Sequence, residues 1–137
     1  MNIIDTLNEK QIKQLQQLYQ LEWWTKGRSL EETRKCLKGS QISFGLVDKD
    51  DDLIGFARVI TDFVFKAFIF DVIVRQDYRK SGLGKKLLSL IQEHPKLSDV
   101  RHFELYCLPE LAGYYEQLGF TTDIGGIVLM RYLHNKN

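Results

Sequence analysis

Apolar residues along the first 40 positions follow the spacing of helices. A helix is predicted up to about Trp24, because apolar side chains recur every three or four residues at Ile12, Leu15, Leu18, Tyr19 and Trp23. Two capping-box patterns, Thr6-x-x-Glu9 and Ser29-x-x-Glu32, indicate where this helix and a second one begin, and Gly39 is predicted to end the second. Residues 1–5 are predicted as a short strand.

After residue 40 the pattern changes to apolar runs of strand length separated by polar turns. Further strands are therefore predicted at 41–47, 53–61, 66–74, 102–108, 120–123 and 127–133. The amphipathic segment 82–93 and a segment that begins at Pro109 and runs to Leu118 are predicted as helices. The resulting order, ααβββαβαββ after the short first strand, indicates an α/β (α+β) protein with a sheet of mixed direction.

Composition is typical of a single-domain cytoplasmic protein. The 137 residues, 44% of them hydrophobic, suit one domain spanning residues 1–137. The net charge of +1 gives no drive towards nucleic acid or acidic membranes, and no apolar run approaches the roughly 20 residues of a membrane span. Cys36 and Cys107 are interpreted as free thiols, and no His/Cys cluster has metal-ligand spacing. We therefore expect a cytoplasmic protein with no metal and no nucleic-acid or membrane partner.

The segment from Asp71 to Leu88 carries the most chemistry. It reads as an apolar strand, a tight basic loop with two glycines and an amphipathic helix. A helix N-terminus offers unpaired N–H groups and the positive end of the helix dipole, and glycine lets a backbone approach a phosphate closely. Positive charge gathers at the same end of the helix from Arg79, Lys80, Lys85 and Lys86. The segment therefore predicts a site for a phosphate-bearing ligand beside the end of a strand.

Two familiar phosphate-binding loops do not match this segment. A P-loop needs Gly, four residues and then Gly-Lys-Ser/Thr, whereas Gly84-Lys85 is followed by Lys86 and Arg79 stands where the first glycine belongs. A dinucleotide-binding loop needs a third glycine, at a position where this chain has Leu87. Nucleotide hydrolysis and a Rossmann-type cofactor are therefore disfavoured.

The remaining pattern, Arg79-x-x-Gly82-x-Gly84 between a strand and a helix, resembles the pyrophosphate loop of the GNAT superfamily of acyl-CoA-dependent N-acetyltransferases. A second landmark of that family, Tyr-x-x-x-Gly-Phe, is matched by Tyr115 to Phe120 at the right spacing. Singly, each motif is equally well explained by a tight turn or by a core aromatic residue before a helix-ending glycine. Together they favour the family, most specifically over residues 40–133.

The resemblance implies the GNAT fold, a mixed and mostly antiparallel sheet of six to seven strands flanked by about four helices, and acetyl-CoA as acyl donor. In the family, the backbone equivalent to Val72, Ile73 and Val74 pairs with the pantetheine arm and holds the thioester carbonyl. The pyrophosphate would be bound by the loop residues Arg79, Lys80, Ser81, Gly82, Leu83, Gly84 and Lys85. Many members place an asparagine that contacts pantetheine where this chain has Leu108-Pro109, so the sequence does not carry that contact.

Tyr115 and Asp71 are the predicted catalytic residues. The family often uses the tyrosine equivalent to Tyr115 as the acid that protonates the departing thiolate; the alternative is a core aromatic residue. Asp71 follows the apolar run 68–70, and a carboxylate among apolar neighbours needs a partner or a function. It is therefore predicted as a base or an amine-binding group. Asp62 is a second candidate, although a turn residue is the simpler interpretation.

The acceptor of the acetyl group is usually framed, in this family, by the first two helices and the hairpin. The predicted substrate-binding residues are therefore Trp24, Arg28, Arg58 and Asp62. An aromatic ring and guanidinium groups favour a small acceptor that carries an amine and an acidic group. The alternative places Trp23 in the core and Trp24 at a helix end.

The sequence thus predicts an N-acetyltransferase that moves an acetyl group from acetyl-CoA to a primary amine of a small molecule by direct attack in a ternary complex. Two alternatives stay open, namely a protein or peptide N-acetyltransferase and a non-catalytic acyl-CoA-binding regulatory protein. A homodimer is a further expectation, because family members are often dimers and the apolar segment 127–133 could serve an interface.

Overall fold

Five strands form one sheet, and their order in the sheet is their order in the chain. They are β1 (Asn2–Ile4), β2 (Ile42–Val47), β3 (Leu53–Thr61), β4 (Lys66–Val74) and β5 (His102–Glu104). The pairs β1–β2, β2–β3 and β3–β4 are antiparallel, whereas β4 and β5 pair in parallel. The expected mixed, mostly antiparallel sheet is confirmed.

The computed structural model describes residues 1–134, which divide into two units after residue 105. The first unit holds the whole sheet and three helices, which are α1 (Glu9–Tyr19), α2 (Leu30–Lys38) and α3 (Leu83–Gln92). The second unit holds the short helix α4 (Ala112–Glu116). Single 3₁₀ turns lie at Gln76–Tyr78, Pro95–Leu97 and Pro109–Leu111. The described residues therefore contain the four helices that were expected.

The core of the first unit lies between its helices and the middle of its sheet. One buried cluster joins α1 to strands β2, β3 and β4, through residues that include Leu15, Leu18, Val47, Phe56 and Ile73. The apolar face of α3 is buried as well, and this helix packs against β3 and β4. Each fully buried side chain of this size stabilises the fold by about 1.5–3 kcal/mol relative to exposure. The packing therefore holds β4 against α1 and α3, and the candidate site lies where β4 ends and α3 begins.

Helix α1 begins at a different capping box from the predicted one. The Oδ1 atom of Asn8 accepts from the backbone N–H of Gln11, and the Oε1 atom of Gln11 accepts from the backbone N–H of Asn8, both at 2.9 Å. The box predicted at Thr6 is therefore wrong by two residues, because Asn and Gln satisfy the same N–H groups as Ser/Thr and Glu. The box at Ser29 is confirmed.

Helix α1 also ends earlier than predicted. Its last residue is Tyr19, not Trp24. The buried hydroxyl of Thr25 donates to the Tyr19 carbonyl at 2.7 Å, and the intervening residues form turns. A side-chain donor thus takes the place of the backbone N–H that the next helical turn would have supplied to this carbonyl. We name residues 20–28 the connecting segment, since they link α1 to α2.

The strands predicted at 120–123 and 127–133 are wrong, and the described residues form five strands rather than six or seven. In the second unit Gly125 and Gly126 take positive φ values of 76° and 77°, which interrupts the extended run. Residues 127–130 are 62 to 86% exposed, and the second unit offers no strand for them to pair with. The strand predicted at 102–108 is shortened to β5. Apolar content alone does not make a strand without a neighbouring ladder.

Gly45 on β2 allows close packing of its neighbouring strands, and it generates a first prediction. A Cβ atom there would lie 2.9 Å from Cγ1 of Ile4 and 3.1 Å from Cδ1 of Leu53. Gly45→Ala should therefore lower the free energy of unfolding by about 1–3 kcal/mol, as overpacking does. Urea denaturation followed by circular dichroism measures this change. Gly39→Ala is the control, because a Cβ at Gly39 meets nothing closer than 3.5 Å. Equal midpoints for both variants would contradict the prediction.

Candidate functional site

The glycine loop between β4 and α3 uses backbone conformations that few residues adopt. Lys80 has a φ of 66°, and Gly82, the N-cap of α3, has a φ of 83°. A Cβ atom built on Gly82 would have no atom within 4 Å, so the space beside it is open. The glycine is therefore required by its conformation, and the open space lets a ligand approach the backbone.

The N-terminus of α3 offers unsatisfied N–H groups. Within residues 1–134 no side chain caps this helix, and its first hydrogen bond runs from the Lys86 N–H to the Gly82 carbonyl at 3.0 Å. The N–H groups of residues 83–85 precede that bond, and the first turn holds no acidic residue. The first turn thus carries the positive end of the helix dipole and has no acidic residue of its own. This arrangement supports the predicted anion site.

The side chains of the loop contribute in different ways. Leu83 is buried in the core, whereas Lys80 and Lys85 are exposed. The Ser81 hydroxyl donates to the carbonyl of Tyr78, which stabilises the bend of the loop. The lysines are therefore free to meet an anion, while Leu83 and Ser81 would act through their backbone.

Arg79 ties the loop to two other parts of the first unit. Its Nη2 atom lies 2.5 Å from a carboxylate oxygen of Glu22 in the connecting segment. Its Nε atom donates to the carbonyl of Val74, at the end of β4, at 3.1 Å. In this arrangement the guanidinium holds the loop in place, and contact of Arg79 with a ligand stays a prediction.

Strand β4 leaves β5 partway along its length. The two strands pair only at Lys66–Phe68 with His102–Glu104, although β4 continues to Val74. Among the described residues no other strand pairs with this edge of β4. The segment 72–74, predicted to hold the donor, therefore lies where β4 has a ladder partner on one side only. An open strand edge of this kind accepts extended amide groups of a ligand.

Asp71 occupies a bulge in β4. The β3–β4 register shifts just before Arg58, so that Asp71 and Val72 together stand opposite Ala57. Asp71 itself has a φ of 55°. Because a bulge redirects side chains, two consecutive residues of β4 reach one arginine: Cζ of Arg58 lies 5.0 Å from the ring centre of Phe70, and Nε lies 2.6 Å from Asp71 Oδ2.

One oxygen of Asp71 accepts three hydrogen bonds. Its Oδ2 atom receives Nε of Arg58 at 2.6 Å, Nη1 of Arg28 at 2.7 Å and the hydroxyl of Tyr19 at 2.9 Å. Burial alone raises the pKa of Asp71, but the hydrogen bonds from Arg28 and Arg58 outweigh burial and hold this pKa below its usual value. Burial, together with the Asp71 carboxylate, raises the pKa of Tyr19. We name Tyr19, Arg28, Arg58 and Asp71 the Asp71 cluster.

The structure brings three of the predicted site residues together in this cluster. Arg28 and Arg58 share the carboxylate of Asp71, so two positive charges face one negative charge. The Arg58 side chain is 10% exposed and the Arg28 side chain 27%, so Arg28 is the arginine that reaches solvent. The base or amine-binding role of Asp71 stays a prediction, but a lowered pKa makes its carboxylate a weaker base.

The tryptophans of the connecting segment lie on the surface. Trp23 is 69% exposed and Trp24 44% exposed, and their rings meet edge to face with centroids 6.0 Å apart. The alternative that placed Trp23 in the core is therefore wrong. Trp24 offers an aromatic face on the same segment as Arg28.

Asp62 belongs to the turn between β3 and β4. Its carboxylate accepts the backbone N–H groups of Val64, Phe65 and Lys66 at 2.9, 2.8 and 3.1 Å. These bonds hold the pKa of Asp62 below its usual value. The geometry is that of a turn residue, and its substrate-binding role stays a prediction.

Tyr115 lies on α4 in the second unit. Its ring contacts those of Tyr114 and Phe120 edge to face, with centroids 5.1 and 6.1 Å away. Burial, with smaller effects of Cys107 and Tyr114, raises the pKa of Tyr115 to about 12. The phenol is therefore protonated at neutral pH and can donate a proton or a hydrogen bond.

Sequence reasoning missed two residues that shape the site. The apolar spacing of α1 places Tyr19 in the core without a role for its hydroxyl, although a buried tyrosine hydroxyl needs a partner and this signal was available. Glu22 carries no such signal, because its partner Arg79 lies 57 residues further along the chain. Its contact depends on the tertiary fold.

The Asp48–Asp52 turn brings three carboxylates close together. Those of Asp48, Asp50 and Asp52 lie within 4.8 Å of one another. Asp48 accepts the backbone N–H groups of Asp50 and Asp52, and Asp52 pairs with Lys10 at 3.1 Å. These bonds explain the group as a hairpin turn.

No helix within residues 1–134 has the length and apolar character needed to cross a membrane.

Known proteins that are similar to this chain in sequence and fold are acetyltransferases. Residues 9–120 match the Acetyltransferase (GNAT) family. The chain is 32% identical over 117 residues to the uncharacterized N-acetyltransferase ycf52 of Pyropia yezoensis, over 83% of this chain and 67% of that protein. A GNAT-family acetyltransferase of Xanthomonas campestris pv. campestris superposes with a TM-score of 0.79 at 28% identity, over 97% of this chain and 94% of that one.

A more distant structure, an aminoglycoside 6′-N-acetyltransferase complexed with coenzyme A, shares the fold with a TM-score of 0.66 at 22% identity. The match covers 77% of this chain and 61% of that one. Fold, loop and similarity together define an acyltransferase. The chain belongs to the GNAT family of acetyltransferases.

Proposed function

We propose that this protein transfers an acetyl group from acetyl-CoA to the primary amine of a small molecule, by direct attack within a ternary complex. One observation carries the proposal. Among the described residues the edge of β4 at 72–74 has no ladder partner, and this edge leads through the glycine loop to the N-terminus of α3. A strand edge and a helix N-terminus in succession suit a ligand with an extended amide arm and a diphosphate.

The residues at both places fit a coenzyme A donor. A pantetheine arm contains amide groups, which can pair with an open strand edge as an added strand does. The N–H groups of residues 83–85 and the dipole of α3 favour a diphosphate, and Lys80 and Lys85 add exposed positive charge. Bound there, acetyl-CoA supplies the activated thioester.

The transfer forms a bond from the amine nitrogen to the acetyl carbon and breaks the bond from that carbon to sulfur. The amine loses a proton, and the departing sulfur needs one. Tyr115 is the proposed proton donor, because its raised pKa keeps the hydroxyl protonated at neutral pH.

The proposed acceptor carries an acidic group as well as its amine. Arg28 uses Nη1 for Asp71, and its Cζ lies 4.6 Å from the ring centre of Tyr19. Within residues 1–134 its other N–H donors have no hydrogen-bond acceptor. The cluster therefore retains positive charge at the arginine that reaches solvent, where it can bind a carboxylate. The exposed ring of Trp24 supplies apolar surface for the rest of the acceptor.

The donor site is tested by Gly82→Glu. This change places a negative charge at the open N-terminus of α3, so we expect the micromolar acetyl-CoA binding of the wild type to disappear in isothermal titration calorimetry. ATP serves as the competing phosphate ligand and should not bind. Gly27→Glu is the matched control, because Gly27 also has positive φ and open space around it. Undiminished acetyl-CoA binding by Gly82→Glu would contradict the proposed site.

The role of Tyr115 is tested by Tyr115→Phe. Loss of the proton donor should lower kcat by about 10²-fold, within the usual range for a general acid, and leave acetyl-CoA binding unchanged. Release of the CoA thiol reports the rate, with an amine that the wild type acetylates. Tyr114→Phe removes a neighbouring hydroxyl from the same helix and should have little effect. An unchanged kcat in Tyr115→Phe would leave this tyrosine as a packing residue.

The acceptor class is tested by comparing amino acids with their amides. The wild type should favour the acids in kcat/KM, and Arg28→Gln should bring the ratio close to one. Trp24→Ala should lower both rates alike, because stacking does not depend on the carboxylate. Lysine-containing peptides complete the panel. If peptides are acetylated faster than every small amine, the acceptor is a protein or peptide and this proposal is wrong.

A further inference from the structure

We infer that Asp71 acts in the proposed acetyl transfer as a positioning residue, which fixes the bulge of β4 and thereby the donor-binding segment 72–74. The inference rests on the proposed function, since it assigns a role within the same site. It replaces the expectation that Asp71 is a base or an amine-binding group. Four observations carry it: the backbone conformation, the register of the strand after the bulge, the partners of the carboxylate and its burial.

The backbone at Asp71 needs outside support. Its φ of 55° lies in the left-handed region, which non-glycine residues seldom occupy unless their surroundings hold them there. The bulge also sets the register of every later residue of β4, and a slip by one residue would turn those side chains to the other face. Whatever holds Asp71 therefore decides how residues 72–74 present their backbone.

The support comes from three elements that converge on one oxygen. Tyr19 reaches it from α1, Arg28 from the connecting segment and Arg58 from β3. Cys36 of α2 lies next to Tyr19, with its Sγ atom 3.8 Å from the Tyr19 hydroxyl. Of these four titratable groups, Arg28 and Arg58 are fixed cations. The three hydrogen-bond donors hold the Asp71 carboxylate in a fixed position.

The same geometry argues against a base. The side chain of Asp71 is 3% exposed, and its Oδ2 atom is already occupied by three donors. Two guanidinium groups favour the ionised carboxylate, and protonation would break both ion pairs. Taking a proton from an acceptor amine would therefore cost the contacts that keep the bulge in place.

Tyr19→Phe tests whether the hydrogen bonds to Asp71 position the bulge, and it leaves every charged side chain unchanged. The variant removes one of the three hydrogen bonds and keeps the ring on which Arg28 stacks. We expect the dissociation constant of acetyl-CoA, measured by calorimetry, to rise about threefold to tenfold, which is the usual effect of one hydrogen bond. We expect kcat to change less than twofold. Cys36→Ala removes the other neighbour of the hydroxyl and serves as the control, with no change expected.

Asp71→Asn separates positioning from proton transfer. Asparagine keeps the shape and tolerates the left-handed conformation, but it cannot act as a base. If Asp71 positions the bulge, the loss lies in the KM for acetyl-CoA, and the pH profile of kcat between pH 6 and 9 keeps its shape. A base would instead show a fall in kcat of about 10²–10⁴-fold at unchanged acetyl-CoA affinity, together with loss of the acid limb of the profile. That second result would overturn the inference.

The outcomes distinguish this inference from the proposed function. A wild-type protein that does not bind acetyl-CoA refutes the proposed function. A wild-type protein that binds and transfers acetyl groups, while Tyr19→Phe binds acetyl-CoA as tightly as it does, refutes the positioning role alone. If Asp71→Asn does not fold, the Tyr19→Phe measurement decides the question.

Discussion

The carboxylate of Asp71 joins four parts of the chain that are far apart in sequence. Helix α1, the connecting segment, β3 and β4 each supply one member of the Asp71 cluster. A buried ion pair of this kind adds little net stability, because desolvation offsets the attraction. Separating it is nevertheless costly, since a charge would stay buried without a partner. The cluster therefore specifies how the elements are arranged more than it strengthens the fold.

Two ion pairs also hold the connecting segment, and with it the exposed tryptophans, in place. Arg28 fastens one end of the segment to the bulge of β4, and Glu22 fastens the other end to Arg79 of the glycine loop. The Glu22–Arg79 pair is partly exposed and contributes little energy, but it limits where the segment can go. Trp23 and Trp24 lie between these two anchors. The surface proposed for the acceptor is thus attached at both ends to elements proposed for the donor.

Local signals in the sequence predicted the strands, loop and helix around the proposed donor site well. The bounds of β3 and β4 agree to the residue, and the glycine loop and α3 follow as expected, because their patterns lie within short windows of sequence. Predictions that depended on distant partners did less well. The end of α1 depends on a hydroxyl six residues away, and the described part of the second unit has no strand with which the strands expected near Phe120 and Ile127 could pair. The partners of Asp71 are 13, 43 and 52 residues away, so no local pattern reveals them.

Because Oδ2 of Asp71 already accepts three hydrogen bonds, the proposed transfer needs another way for the acceptor amine to become neutral. The charge of the Asp71 cluster bears on this question. Two guanidinium groups against one carboxylate leave a net positive charge, which is strongest at the partly exposed Arg28. A like charge close to an ammonium group lowers its pKa and favours the neutral amine that can attack a thioester. In the proposed function, however, this charge is offset once the carboxylate of the acceptor pairs with Arg28. The proton of the amine would then be lost to solvent, without a carboxylate of the protein that accepts it.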